Sequence, residues 1–265
     1  MSNNTHENSL NEMLQDSLKK IRIVMIQTSH TGNMGAAARA MKVMGLSELV
    51  LVKPKSLPDE QSIAMSSNAT DILDNAVIVD TLSEAITGCQ LVVGTSARHE
   101  RTLSWDIQDS RSCGELIAKH TNTQENAKVA ILFGRESSGL TNEELAVCQH
   151  LVHIPTNPDY SSLNVASAVQ ILSYECRLAT MNLQQANETS DDKTENNSND
   201  EWISADDLDS YFEHLKQTMI DVDFLDPENP RYFIPRLRRL YSRSGITRSE
   251  MNILRGMLAA IQKRT

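Results

Sequence analysis

The chain has 265 residues, 40% of them hydrophobic, enough apolar material for one large domain or a large and a small one. No apolar run approaches the ~18 residues of a membrane span. The polar start, Met1 to Lys20, has neither the apolar stretch of a secretory signal nor the Arg-rich character of a transit peptide, so a cytoplasmic protein is expected. Cys89, Cys113, Cys148 and Cys176 are widely spaced and form no CxxC pair, which points to reduced thiols and away from a zinc site or a disulfide framework. The formal net charge of -10 taken alone argues against a nucleic-acid partner, but its distribution does not. Glu188 to Glu228 holds 14 acidic residues against two lysines, and Arg231 to Thr265 holds nine basic residues against Glu250. A local basic face of that kind binds phosphates even on an acidic protein.

Residues 1–19 read as a flexible leader with at most a short helix near Leu10 to Leu18. Strands and helices then alternate over residues 20–181. Ile21 to Ile26 is an apolar run fit for a buried strand, and Met34 to Met44 follows as a helix stopped by Gly45. Leu49 to Val52, Ala76 to Val79, Leu91 to Val93, Val129 to Phe133 and Leu151 to Ile154 are further strands. Between them a short helix begins at Pro58, and Thr81 to Thr87 and Cys113 to His120 form others. The pattern Thr141-Asn-Glu-Glu144 is a capping box ahead of one more, and a final helix starts at Val165. This rhythm predicts an α/β domain: a parallel sheet with helices on both faces. Residues 182–202 are acidic, polar and almost free of apolar side chains, which predicts a disordered linker. In residues 203–265 helical patterning returns. Leu208, Tyr211, Phe212, Leu215 and Met219 make one stripe, Tyr232 to Tyr241 and Met251 to Ile261 supply two more helices, and Thr247-Arg-Ser-Glu250 caps the last. A small basic helical extension is expected.

Three loops that follow apolar strands share one construction. They are Thr28-Ser-His-Thr-Gly-Asn-Met-Gly35, Phe133-Gly-Arg-Glu-Ser-Ser-Gly-Leu140, and the stretch from Ile154-Pro to Ser161-Ser-Leu-Asn164 that runs into a helix. Each is rich in Gly, Ser or Asn, so backbone N–H groups and hydroxyls collect in a small volume. Half of the ten glycines fall in these loops and at Gly94, which favours a ligand site at the carboxyl edge of the sheet. Asn33 can cap its helix, and Arg39 lies two turns on, able to meet an anion or simply face water. Arg135 and Glu136 are adjacent charges in an apolar neighbourhood; they form structural ion pairs or contact a ligand. His30 and His153 have no second ligand at metal spacing, so no metal is expected.

Asn33-x-Gly35-x-x-x-Arg39, the segment Phe133 to Leu140, and Ile154-Pro followed by Ser161-Ser-Leu-Asn-Val-Ala166 together resemble the three motifs of the SpoU branch of the SPOUT methyltransferases. Thr28 to Arg39 and Gly94-Thr-Ser-Ala-Arg98 look like the TrmJ type, tRNA ribose 2′-O-methyltransferases acting on cytidine or uridine at position 32. The resemblance covers residues 21–180 closely and the basic tail more loosely. It implies a C-terminal trefoil knot, a homodimer, and S-adenosylmethionine as methyl donor, with Thr95, Ser96, Ala97, Gly134, Ile154, Ser161, Ser162 and Leu163 lining the cofactor. It further implies a catalytic set: Arg39 reaching in from the partner subunit, Asn33 steadying the loop and Ser162 beside the reacting centre. Arg98, Arg101 and Arg135 are expected to meet tRNA phosphates near the site, and Arg236, Arg238, Arg239 and Arg243 to grip the tRNA body.

Two other functions compete with this one. A non-catalytic RNA-binding or assembly factor of the same fold would have no need of Arg39, Asn33 and Ser162. An ordinary doubly wound nucleotide enzyme would carry G-x-G-x-x-G or a phosphate-binding GK[ST] loop, and the chain has neither.

Overall fold

A computed structural model describes residues 2–97, 107–123, 126–189, 201–226 and 233–263. Among these, seven strands form one parallel sheet: β1 (Ile21–Ile26), β2 (Glu48–Val52), β3 (Val77–Val79), β4 (Leu91–Thr95), β5 (Ile107–Asp109), β6 (Val129–Phe133) and β7 (His150–His153). Across the sheet they run β3-β2-β1-β6-β4-β7-β5. The period of two along each strand divides the core into two layers. Ile21, Ile23 and Met25 of β1 pack with Ile131, Phe133 and Val93 beneath α1 (Ser2–Lys19), α2 (Thr31–Met44), α6 (Ser110–Thr123) and α8 (Val165–Thr189). Val24, Ile26, Leu132, Val92 and Leu151 face the other way, onto α5 (Leu82–Ile86) and α7 (Asn142–Ala146). The central strands are buried on both faces, which is why they read as continuous apolar runs.

Arg22 interrupts the run of β1 and is accommodated by specific partners. Its guanidinium donates to Glu48 Oε1 (2.9 and 2.5 Å) and to the carbonyls of Ala85 and Thr87 (2.6 and 3.1 Å). Gly45 closes α2 in the left-handed region at φ 86°, its N–H donating to the Lys42 carbonyl at 3.1 Å, as expected of a helix-ending glycine. The Thr141 and Thr247 capping boxes form as read.

Three expectations change, and two further elements appear. The leader is helical over Ser2–Lys19, and Leu14 and Leu18 (4% and 0% exposed) belong to the main core; their four-residue spacing lays one stripe against α6 and α8. The last helix of the sheet domain continues to Thr189, past the expected boundary at 182; residues 190–200 of the expected disordered linker lie outside the described residues, and its end at Trp202 is ordered by a bridge to Thr247. Asn33 sits inside the first turn of α2, whose N-cap position is His30, so it caps nothing. The strand β5 and the short helix α4 (Thr70–Asp74) have too few residues to leave a pattern.

The extension is α9 (Ala205–Asp221), α10 (Phe233–Ser244) and α11 (Arg248–Gln262), packed around Leu208, Tyr211, Phe212, Leu215, Met251 and Leu258. It docks at the amino ends of the strands, where the Ala205 N–H donates to the Cys89 carbonyl (2.8 Å), the Gly88 N–H to Asp206 (2.9 Å) and the Ser83 hydroxyl to Asp209 (2.9 Å). Because α1 is part of the core, Leu18→Ala is expected to cost about 2–5 kcal/mol, measured by urea denaturation. A peripheral leader would give no change in midpoint.

Candidate functional site

The carboxyl ends of β4, β6 and β7 open onto a cavity of about 200 Å³. All eight residues expected to hold a cofactor line it: Thr95, Ser96 and Ala97 after β4, Gly134 after β6, and Ile154, Ser161, Ser162 and Leu163 after β7. Phe133, Val152, Val165 and Ala168 supply further apolar wall. Gly134 is required by a close approach: a Cβ there would stand 2.2 Å from the Gly139 carbonyl carbon, where the loop folds back and Arg135 and Gly139 exchange backbone hydrogen bonds (3.2 and 2.8 Å). The loops keep their places through backbone and buried contacts. The Ser96 N–H donates to the Val152 carbonyl at 3.0 Å, and His153 Nδ1 lies 3.0 Å from the Ser96 carbonyl. His153 is thus a hydrogen-bonding residue, and among the described residues no group of three or more His, Cys, Asp or Glu is placed to hold a metal.

One chain of hydrogen bonds ties the three motif loops together. The Glu136 carboxylate accepts from the Asn33 amide (3.0 Å) and from the Ser29 hydroxyl (2.9 Å) and N–H (3.3 Å). Asn33 Oδ1 in turn accepts from the Asn164 amide at 2.9 Å, and Asn164 Oδ1 accepts from the Ala166 N–H (2.8 Å) at the start of α8. Burial pushes the Glu136 carboxyl up. Its own backbone N–H, Asn33 and Ser29 outweigh that and hold it below the usual range, so it stays ionised. Sequence reasoning singled out Asn33 and missed Ser29, Glu136 and Asn164 as its network. The residue types were visible, but partners more than 100 positions apart leave no local trace.

Arg135 takes the structural alternative. Its guanidinium meets Glu144 through two parallel bonds of 2.9 Å, donates to Gln27 at 2.9 Å and reaches the Gly139 carbonyl at 3.3 Å. These bonds hold the guanidinium in the loop, at the edge of the cavity it lines. Arg238 is likewise taken: it is ion-paired with Asp209 and lies over the Phe212 ring, 4.8 Å from the centroid. Arg239 is half-buried, whereas Arg236 is exposed. Arg98, Arg101 and the Arg243 side chain lie outside the described residues. Arg39 is exposed on α2 and does not line the cavity. Six positions separate it from Asn33, about 120° around the helix, so the two side chains leave α2 in different directions.

This arrangement matches known proteins. The model of the SpoU rRNA methylase family matches residues 20–174, and that of the C-terminal domain of the tRNA methyltransferase TrmJ matches residues 206–265. The chain belongs to the SpoU methylase family, in its TrmJ group. It is 53% identical, over 93% of its length and 95% of the relative's, to the tRNA (cytidine/uridine/adenosine-2′-O-)-methyltransferase TrmJ of Pseudomonas aeruginosa. Among solved structures it resembles TrmJ from Z. mobilis (26% identity, TM-score 0.76, 91% of this chain and 98% of that one). It also resembles a probable methylase family protein from Haemophilus influenzae Rd KW20 (45% identity, TM-score 0.60, 93% and 97%).

The Arg135–Glu144 pair makes a pH prediction. Burial raises the Glu144 carboxyl, but Arg135 and Thr141 outweigh it and leave the pKa below 4.5. A depressed folded pKa adds stability above the unfolded pKa, and that stability is lost as pH falls through the folded value. Unfolding free energy is therefore expected to drop below about pH 4.5, with a shallower slope in Glu144→Gln, measured by denaturant titration at each pH.

Proposed function

We propose that the protein transfers a methyl group from S-adenosylmethionine to the ribose 2′-hydroxyl of a cytidine or uridine at position 32 of the tRNA anticodon loop. The observation that carries this reading is 53% identity over 93% of the chain to a tRNA 2′-O-methyltransferase, together with two motif loops lining one cavity and the third hydrogen-bonded to both of them. The Pseudomonas relative is named for adenosine as well, so the base is read loosely in at least one member of the group. The work is cytoplasmic, where tRNA is found. No described helix is long and apolar enough to cross a membrane.

The cavity fits the donor. Ile154, Leu163, Val165 and Ala168 offer an apolar slot for a flat purine, and Thr95 to Ala97 and Ser161 to Leu163 offer backbone groups and hydroxyls at its rim. S-adenosylmethionine supplies an electrophilic methyl on a good leaving group when bound. The chain must position the ribose hydroxyl and stabilise the alkoxide that develops as its proton leaves. Arg39 suits that task, since a guanidinium with a pKa above ~12 is a poor base but a strong hydrogen-bond donor to an oxyanion. The proton leaves to an RNA phosphate oxygen or to water. Glu136 already accepts three hydrogen bonds, so its role is to position Asn33. Ser162 stands at the cavity wall, and in this reading it flanks the reacting centre.

The active form in this reading is a homodimer in which Arg39 serves the partner's cavity. Support comes from the exposure of Arg39 outside its own cavity and from a partly exposed apolar stripe. Ile171, Tyr174, Leu178 and Met181 recur along one face of α8, with Tyr174 48% exposed, and Val43 of α2 is 62% exposed. The C-terminal segment is knotted in the same reading. The supporting feature is that β7 lies between β4 and β5, two strands consecutive in the chain. The basic extension contacts the amino end of β4, ~13 Å of strand away from the cavity. Arg236 there would therefore touch a part of the tRNA remote from the methylated nucleotide.

Labelled donor, protein and unmodified tRNA transcript are expected to give labelled tRNA, and a transcript with a 2′-deoxy nucleotide at position 32 none; equal labelling of both would refute the acceptor. The dimer is tested by mixing two inactive variants, Arg39→Ala and the cavity-blocking Gly134→Val. Exchanged heterodimers hold one complete site, so roughly a quarter of the wild-type rate is expected. No recovery after verified subunit exchange would mean that Arg39 acts within its own subunit.

A further inference from the structure

Tyr160 is 82% exposed. It immediately precedes Ser161, Ser162 and Leu163, which line the cavity, but it is not itself part of the wall. The turn that carries it is pinned. The Asp159 N–H donates to Asn157 Oδ1 (3.0 Å), the Tyr160 N–H to the Asn157 carbonyl (3.0 Å), and the Thr156 hydroxyl to the Ser161 carbonyl (3.2 Å). The ring is therefore held out beside the mouth of the cavity on an ordered turn, where nothing among the described residues covers it. The other exposed aromatics are placed differently. Trp202 packs against His120 (centroids 5.2 Å apart) near the amino ends of the strands, Phe224 packs against Phe233, and Tyr174 lies along α8.

We propose that Tyr160 is the stacking platform for the base of the nucleotide being methylated. This rests on the tRNA methyltransferase reading above. A ribose 2′-hydroxyl in an anticodon loop comes within reach of an enclosed methyl donor only when its nucleotide is turned out of the stack, which strips the base of its neighbours. An aromatic face at the mouth replaces that lost stacking. Stacking engages the face of a base and ignores its hydrogen-bonding edge, so one platform serves cytosine and uracil alike. Tyr160 is in this sense a positioning residue for the acceptor, separate from the groups that hold the donor.

The test uses the full-length protein and tRNA carrying a fluorescent cytidine analogue at position 32. Wild type is expected to quench the analogue on binding and to methylate the unlabelled transcript. Tyr160→Leu should lose the quenching and slow single-turnover methylation roughly tenfold, in line with the energy of one base stacked on an aromatic ring. Tyr160→Phe and Tyr160→Trp should stay within about twofold of wild type, since both keep a ring face. Donor affinity of Tyr160→Leu, titrated with S-adenosylmethionine alone, should not move. An active wild type with an equally active and equally quenching Tyr160→Leu overturns the proposal by itself. So does a Tyr160→Leu variant that loses donor affinity or dissociates into monomers while still quenching, because the ring would then be covering the cofactor or the subunit interface. A wild type that methylates no transcript would instead sink the underlying function.

Discussion

The Glu136 carboxylate is the interaction on which the site depends. It is partly buried between two loops that belong to different strands, and a buried charge is tolerable only with donors on it. Those donors are Ser29, in the loop after β1, and Asn33, in the first turn of α2, and Asn33 then reaches the third loop through Asn164. A single anion thus links three separate motifs, two of which line the cavity. Its oxygens already accept from Ser29 and Asn33, which commits it to holding the loops.

The sheet makes that chain of bonds possible. Parallel pairing sets Met25 opposite Phe133 and Thr95 opposite Val152, so the loops that follow these strands start at one level. Parallel strands also need crossovers, and the crossovers bury both faces, which leaves the carboxyl edge as the place where polar backbone is exposed. The Arg135–Glu144 pair and the Gly134–Gly139 approach fold the second loop tightly enough to leave the cavity open. Arginines of the motif and the tail thus divide by task. Those with carboxylates within reach hold the fold, and Arg39 and Arg236 remain exposed.

The helical extension follows the same logic of charge. Its acidic first helix places Asp207 against Arg248 and Asp209 against Arg238, so the strong charge asymmetry of the C-terminal third is partly cancelled within the extension itself. What reaches solvent is a smaller basic surface than the residue count suggests. It sits at the amino ends of the strands, where Cys89, Gly88 and Ser83 anchor it to the larger domain.

The sequence by itself determined the alternation of strands and helices, the capping boxes at Thr141 and Thr247, the glycine stop at Gly45, and the family motifs that name the cavity residues. These are legible because each depends on neighbours within one turn, one strand or one loop. Tertiary structure alone decided that the leader packs into the core through Leu14 and Leu18, that Asn33 turns to Glu136 instead of capping its helix, that Arg135 and Arg238 are held by Glu144 and Asp209, and that Arg39 is exposed outside its own cavity. In each case the deciding partner lies on another element. A side chain's choice between water and a distant carboxylate depends on where folding brings that carboxylate, and local sequence does not encode that distance.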